Sequence, residues 1–121
     1  MEIDPISLVE AFLYYSSEVT GRKRISTDHS DIQKALKEFG YQDREFGGVL
    51  QFSDHRDYSG EVENALSILR ISGRIELGQG FYTLKMNEID IDLPPEVIER
   101  VKSSVERIKD SEEFERLFLY E

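Results

Sequence analysis

The chain has no cysteine and no tryptophan. Without cysteine there is no disulfide framework, no thiolate metal site and no thiol nucleophile. Cations are the minority charge: 15 Lys and Arg stand against 25 Asp and Glu, a formal net charge of -10. Such a field repels polyanions and disfavours nucleic acid as a partner without excluding it. No apolar run approaches the roughly 18 residues that span a bilayer. The first residues carry Glu2 and Asp4 where a leader would be basic, so a cytoplasmic protein with no membrane partner is expected.

What is present suits one domain. The 121 residues are 39% hydrophobic and include 7 Phe and 6 Tyr, enough to close one core. Pro5 suits a first helical turn, and Leu8, Val9, Phe12, Leu13, Tyr15 and Val19 give the segment from Ile6 to Val19 a broad apolar face that Gly21 ends. Ser30 and Gln33 have capping-box spacing ahead of Ile32, Ala35, Leu36 and Phe39, and Gly40 predicts a left-handed stop. Val49 to Phe52 reads as a short strand. Ser59 caps a third helix on which Val62, Leu66 and Leu69 recur, with Ala65 and Ile68 beside them, up to Gly73. Ile75 and Leu77, the turn Gly78-Gln79-Gly80, then Phe81 to Leu84 form a hairpin signal. Asn87 to Leu93 alternates apolar and acidic residues, as an edge strand or an extended linker does. Pro94-Pro95 opens a last helix with a narrow seam of Ile98, Val101, Val105 and Ile108, broken at Asp110-Ser111 before Phe114, Leu117 and Phe118.

The expected fold class is α+β, mostly helical. A core over residues 1–86 would carry helices and a two- or three-stranded antiparallel wing, and residues 87–121 a linker and a C-terminal helical extension. That extension would pack on the core or on a second subunit, giving a homodimer through the C-terminal helix. Ala65-Leu66-x-x-Leu69 with Gly73-x-Ile75 and Gly80-Phe81-Tyr82-x-Leu84 resembles the helix-and-wing half of winged-helix domains. More narrowly, Phe12-Leu13-Tyr14-Tyr15, the second helix, and Asp57-Tyr58-Ser59-Gly60-Glu61-Val62 leading to Gly73-Arg74-Ile75 resemble Panacea antitoxin-type domains across residues 8–84. Arg56-Asp57 stands where those domains commonly have Gly-Pro. The resemblance implies a non-enzymatic protein that acts by binding another protein.

Three functional classes follow. The first is a regulatory interaction protein, with Tyr58, Ser59, Phe114, Leu117, Phe118 and Tyr120 as partner-binding residues. The second is a dimeric winged-helix transcriptional regulator that would use Arg70, Arg74 and Lys85 by the wing and Arg22, Lys23 and Arg24 as a second basic cluster. Against it, Glu61 and Glu63 would meet phosphates near the start of the reading helix. The third is a metal-dependent enzyme built from Asp28-His29-Ser30-Asp31 and Asp54-His55-Arg56-Asp57, whose nitrogen and oxygen donors suit zinc, manganese or iron. Helix capping and turn formation account for both segments more simply. No motif calls for a cofactor or a catalytic group, and none is expected.

Overall fold

A computed structural model describes residues 2–53 and 55–118. Asp4 opens the first helix, α1 (Pro5–Thr20), by accepting from Ile6 N at 3.1 Å, and Gly21 closes it at φ 70° with its N–H on Ser17 O. Gly21 turns the chain into β1 (Arg24–Ser26). Of the basic run Arg22-Lys23-Arg24, only Arg24 enters the strand.

The second helix, α2 (His29–Tyr41), differs from expectation at both ends. Its cap is Asp28, which accepts from Ser30 N at 2.9 Å. Gln33 closes no capping box, because its amide reaches across to Ser59 instead. Gly40 is helical and does not stop the helix: the next helix crosses there, and the Gly40 position lies against the Cα of Gly47. That next helix, α3 (Arg44–Leu50), replaces the strand expected over 49–52. Asp43 caps it, accepting from Glu45 N and Phe46 N, and Phe46 and Leu50, one turn apart, are both buried. Helical spacing of two core side chains plus a good cap outweighs the local β-propensity of Val49-Leu50-Gln51-Phe52.

Ser59 caps α4 (Gly60–Ile71) as expected, accepting from Val62 N at 3.2 Å, while its hydroxyl donates to Leu50 O. Gly73, at φ 78°, leads into β2 (Ile75–Leu77), and Gly80, at φ 85°, turns it back into β3 (Phe81–Leu84). The three strands form one antiparallel sheet in the order β1-β3-β2. Residues 87–93 do not join it. They hold a single 3-10 turn (Glu88–Asp90), and Ile91 drops into the core. The last helices are α5 (Pro95–Ile108) and α6 (Glu112–Leu117), the latter capped by Ser111. Among the described residues no helix is long and apolar enough to cross a membrane.

The core forms around α1, which is buried well beyond one stripe, with α4 and α5 packed against it. Val97, Val101, Val105 and Ile108 of α5 are buried, with Ile98 only half covered. A succession of ring contacts continues from there: Phe12 lies 4.8 Å from Phe39 and 6.5 Å from Phe114, Phe39 stacks on Phe46 at 5.3 Å, and Phe114 meets Phe118 at 5.5 Å. Each buried large apolar side chain is worth about 1.5 to 3 kcal/mol, so α6 contributes substantially through Phe114 and Leu117 alone. Two ion pairs brace the periphery. Glu10, only 1% exposed, takes both oxygens to Arg74 Nη1 at 2.8 and 2.9 Å. Arg100 holds Asp43 at 2.7 and 2.9 Å and Glu45 at 2.8 Å while lying over the Phe46 ring.

Candidate interaction surface

The two Asp-His-x-Asp segments are engaged in contacts within the fold. Asp28 caps α2, Asp31 accepts from Ser26 Oγ at 2.8 Å, and Asp57 pairs with Lys37 at 3.1 Å. Asp54 lies outside the described residues. His29 sits at the start of α2 with both ring nitrogens engaged: Nδ1 is 2.8 Å from Glu63 Oε1 and Nε2 is 2.8 Å from the Tyr82 hydroxyl. The other Glu63 oxygen accepts from Gln33 Nε2 at 2.9 Å, and Gln33 also holds both the N–H and C=O of Ser59. This network ties α2, α4 and β3 together, and a cation could reach His29 only by breaking it. Among the described residues no three His, Cys, Asp or Glu side chains are grouped so as to hold a metal ion.

The basic residues singled out in the sequence do not converge. Arg74 is bound to buried Glu10, Arg22 donates to Phe118 O at 3.1 Å, and Arg24 lies over the Phe81 ring at 4.4 Å. Arg70 lies over the Tyr82 ring at 5.5 Å. Lys23 and Lys85 line one small cavity beside Tyr14 and Glu18, and Lys85 also stands 3.9 Å from Glu76. Of the residues expected to bind a partner, Phe114, Leu117 and Phe118 are buried within this chain, so the groove that receives the tail belongs to the same chain. The Ile98–Ile108 seam is likewise turned to α1 and not toward a second copy. Ser59 is buried as the cap of α4, and Tyr58, just before it, is exposed. Tyr120 lies outside the described residues.

One surface that packing leaves exposed is the outer side of α4 and the strand that follows it. Asn64, Ser67 and Arg70 face solvent there, as the helical pattern predicts. Two isoleucines stand with them: Ile68 is 39% exposed and Ile71 87%. Leu77 of β2 is 58% exposed. Ile71 and Leu77 flank a shallow groove of about 490 Å³ whose floor includes Gly73 and Ile75 and whose rim holds Ser67, Arg70 and Glu76. Sequence reasoning grouped Ile68 with the core face and passed over Ile71. The signal was present: at about 100° per residue, Ile71 falls roughly opposite Val62 on the helix, so no single buried face accommodates both. The chain matches no protein-family model, no curated protein and no solved structure, so the chemistry of this surface carries the functional reading.

Proposed function

We propose that the protein is a non-catalytic interaction module of winged-helix-like topology that recognises another protein through the outer face of α4 and the adjoining β2. The single observation behind this reading is the exposure of Ile71 and Leu77 on either side of one groove, with Ile68 exposed on the same helix. Large aliphatic side chains left in water at one place mark protein contact surfaces. The order helix, strand, helices, strand, strand with the sheet arranged β1-β3-β2 supports the winged-helix-like description. An antitoxin-like regulatory role agrees with the Tyr58-Ser59 turn that precedes α4, where Ser59 fixes the helix start and leaves Tyr58 at the surface.

The DNA-binding alternative has less support. A helix that reads DNA presents donors to base edges and cations to phosphates. Here α4 offers Glu61 and Glu63 in its first turn and bare isoleucines near its end.

The test is capture from native lysate by the full-length chain and by an Ile71→Glu, Leu77→Glu variant, both exposed positions at which a charge leaves the core intact. The expected result is a co-purifying polypeptide, resistant to nuclease, that the variant fails to retain. Equal capture by both proteins, or capture abolished by nuclease, would overturn the reading.

A further inference from the structure

Tyr15, Glu18 and Val19 share one side of α1 by their helical spacing, and Lys102 and Glu106, one turn apart, share one side of α5. With Glu88 of the 3-10 turn they line a cavity of about 330 Å³ whose wall carries three carboxylates and one ammonium. Glu106 pairs with Lys109 at 2.8 Å, and Lys102 with Glu99 at 3.6 Å. Glu18 and Glu88 pair with no cation among the described residues; Glu88 accepts a 3.5 Å hydrogen bond from the Tyr14 hydroxyl. Exposed carboxylates alone are ordinary solvated charge. A second feature is independent of them. Tyr15 is 5% exposed, and its hydroxyl is buried with no hydrogen-bond partner among the described residues. Leaving a buried hydroxyl unpaired costs free energy, so the group calls for a partner. Burial, and then the charges of Glu88, Glu99 and Glu18, hold its pKa above the ordinary 10. It is therefore a neutral hydroxyl close to the two unpaired carboxylates of the cavity. The protein's own ammonium shows what suits this ring: Lys102 Nζ lies over Tyr15, 5.3 Å from the ring centroid.

We propose that this cavity binds a primary alkylammonium group, which displaces the Lys102 ammonium from Tyr15, donates to the Tyr15 hydroxyl oxygen and is neutralised by Glu18 and Glu88. Lys102 is nearly half exposed on a flexible stem, so it can yield the position. Val19, 40% exposed beside the carboxylates, offers the alkyl stem an apolar contact. A bare metal ion does not fit, because among the described residues no three carboxylates or imidazoles converge on one point. The cavity shares no residue with the α4 groove, so the proposal stands apart from the interaction reading. The same ammonium chemistry is carried by a free amine and by a lysine side chain.

The experiment is an amide chemical-shift titration of the full-length protein with n-butylammonium, with n-butanol as the uncharged control, and with a glycine-serine peptide carrying one lysine. The expected result is a set of shifts centred on Tyr15, Glu18, Val19 and Glu88 that n-butanol does not produce. Lys102→Ala should tighten binding by removing the internal competitor, and Glu88→Gln should weaken it. Tyr15→Phe should weaken it by roughly tenfold, the loss of one hydrogen bond to a charged group. The same variant should melt no lower than the parent, because it deletes an unpaired hydroxyl; a purely structural hydroxyl would lower the melt and leave binding alone. Binding of n-butylammonium without the peptide supports a free amine as the source, and binding of both supports a lysine side chain. No shifts at these residues with either amine, an equal response to n-butanol, or undiminished binding in both Tyr15→Phe and Glu88→Gln would overturn the proposal. Shifts spread evenly over the acidic surface and abolished by salt would overturn it in favour of counter-ion attraction.

Discussion

Gly47 crosses Gly40 so closely that a Cβ built on Gly47 would stand 2.9 Å from the Gly40 carbonyl oxygen. This contact sets α3 against α2, and with it the position of Leu50, whose carbonyl receives the Ser59 hydroxyl at the head of α4. Gly48, the next residue, has no atom within 4 Å of its added Cβ. The neighbours should therefore respond oppositely to the same change. Gly48→Ala should stabilise by about 0.5 to 1 kcal/mol, the helix-propensity gain. Gly47→Ala should destabilise by about 1 to 3 kcal/mol, because the helices must move apart. Urea denaturation of the two variants beside the parent gives both values.

Acid should weaken the protein partly through Asp43. The Arg100 guanidinium holds this carboxyl below its ordinary value of 3.8, chiefly by hydrogen bonding. A pKa lowered on folding stabilises the native state above the unfolded value and ceases to do so as pH falls through the folded one. Asp43→Asn keeps a competent helix cap but removes the charge. The variant should be less stable than the parent at neutral pH, and the gap should shrink below pH 3.8. Glu10 acts with the opposite sign. Burial raises its pKa above 4.5 despite the pull of Arg74, so its contribution falls as pH rises from there through the raised value. Melting curves across the acid range separate the two carboxylates.

Gln33 should matter more than its place outside any catalytic motif suggests. Its side chain satisfies Ser59 N, Ser59 O and Glu63 Oε2 in a site closed to solvent on the Ser59 side. Gln33→Ala leaves buried backbone groups unpaired and should cost about 2 to 3 kcal/mol. His29→Ala, where both the imidazole and its Glu63 partner are about a third exposed, should cost less, near 1 kcal/mol. Thermal or urea unfolding ranks the pair, and the reverse order would contradict the role given to Gln33.

The legible part of the fold was the part written in local chemistry. Asp4-Pro5, Ser59 and Ser111 mark helix starts, and Gly21, Gly73 and Gly80 turn the chain where φ is positive. The β2–β3 hairpin and the break before α6 were readable in the same way. What stayed hidden depends on residues far apart in sequence. Gly40 reads as a stop unless Gly47 is known to cross it, and Gln33 reads as half of a capping box unless Ser59 is known to lie opposite. Strand β1, three residues that begin on the last residue of a basic run, exists because β3 pairs with it. Phe114 and Leu117 were recognised as apolar residues in need of a groove, but the groove is assembled from α2, a separate element. On the candidate surface Ile71 was legible from helical angle alone, whereas the place of β2 at the side of the sheet follows only from the strand order.

The most direct test of the interaction account is hydrogen–deuterium exchange of the full-length protein, alone and with the partner recovered by capture. The account predicts slowed exchange concentrated between Ser67 and Leu77. Protection confined to α5, α6 or the basic run at residues 22–24, with Ser67 to Leu77 unchanged, would contradict it.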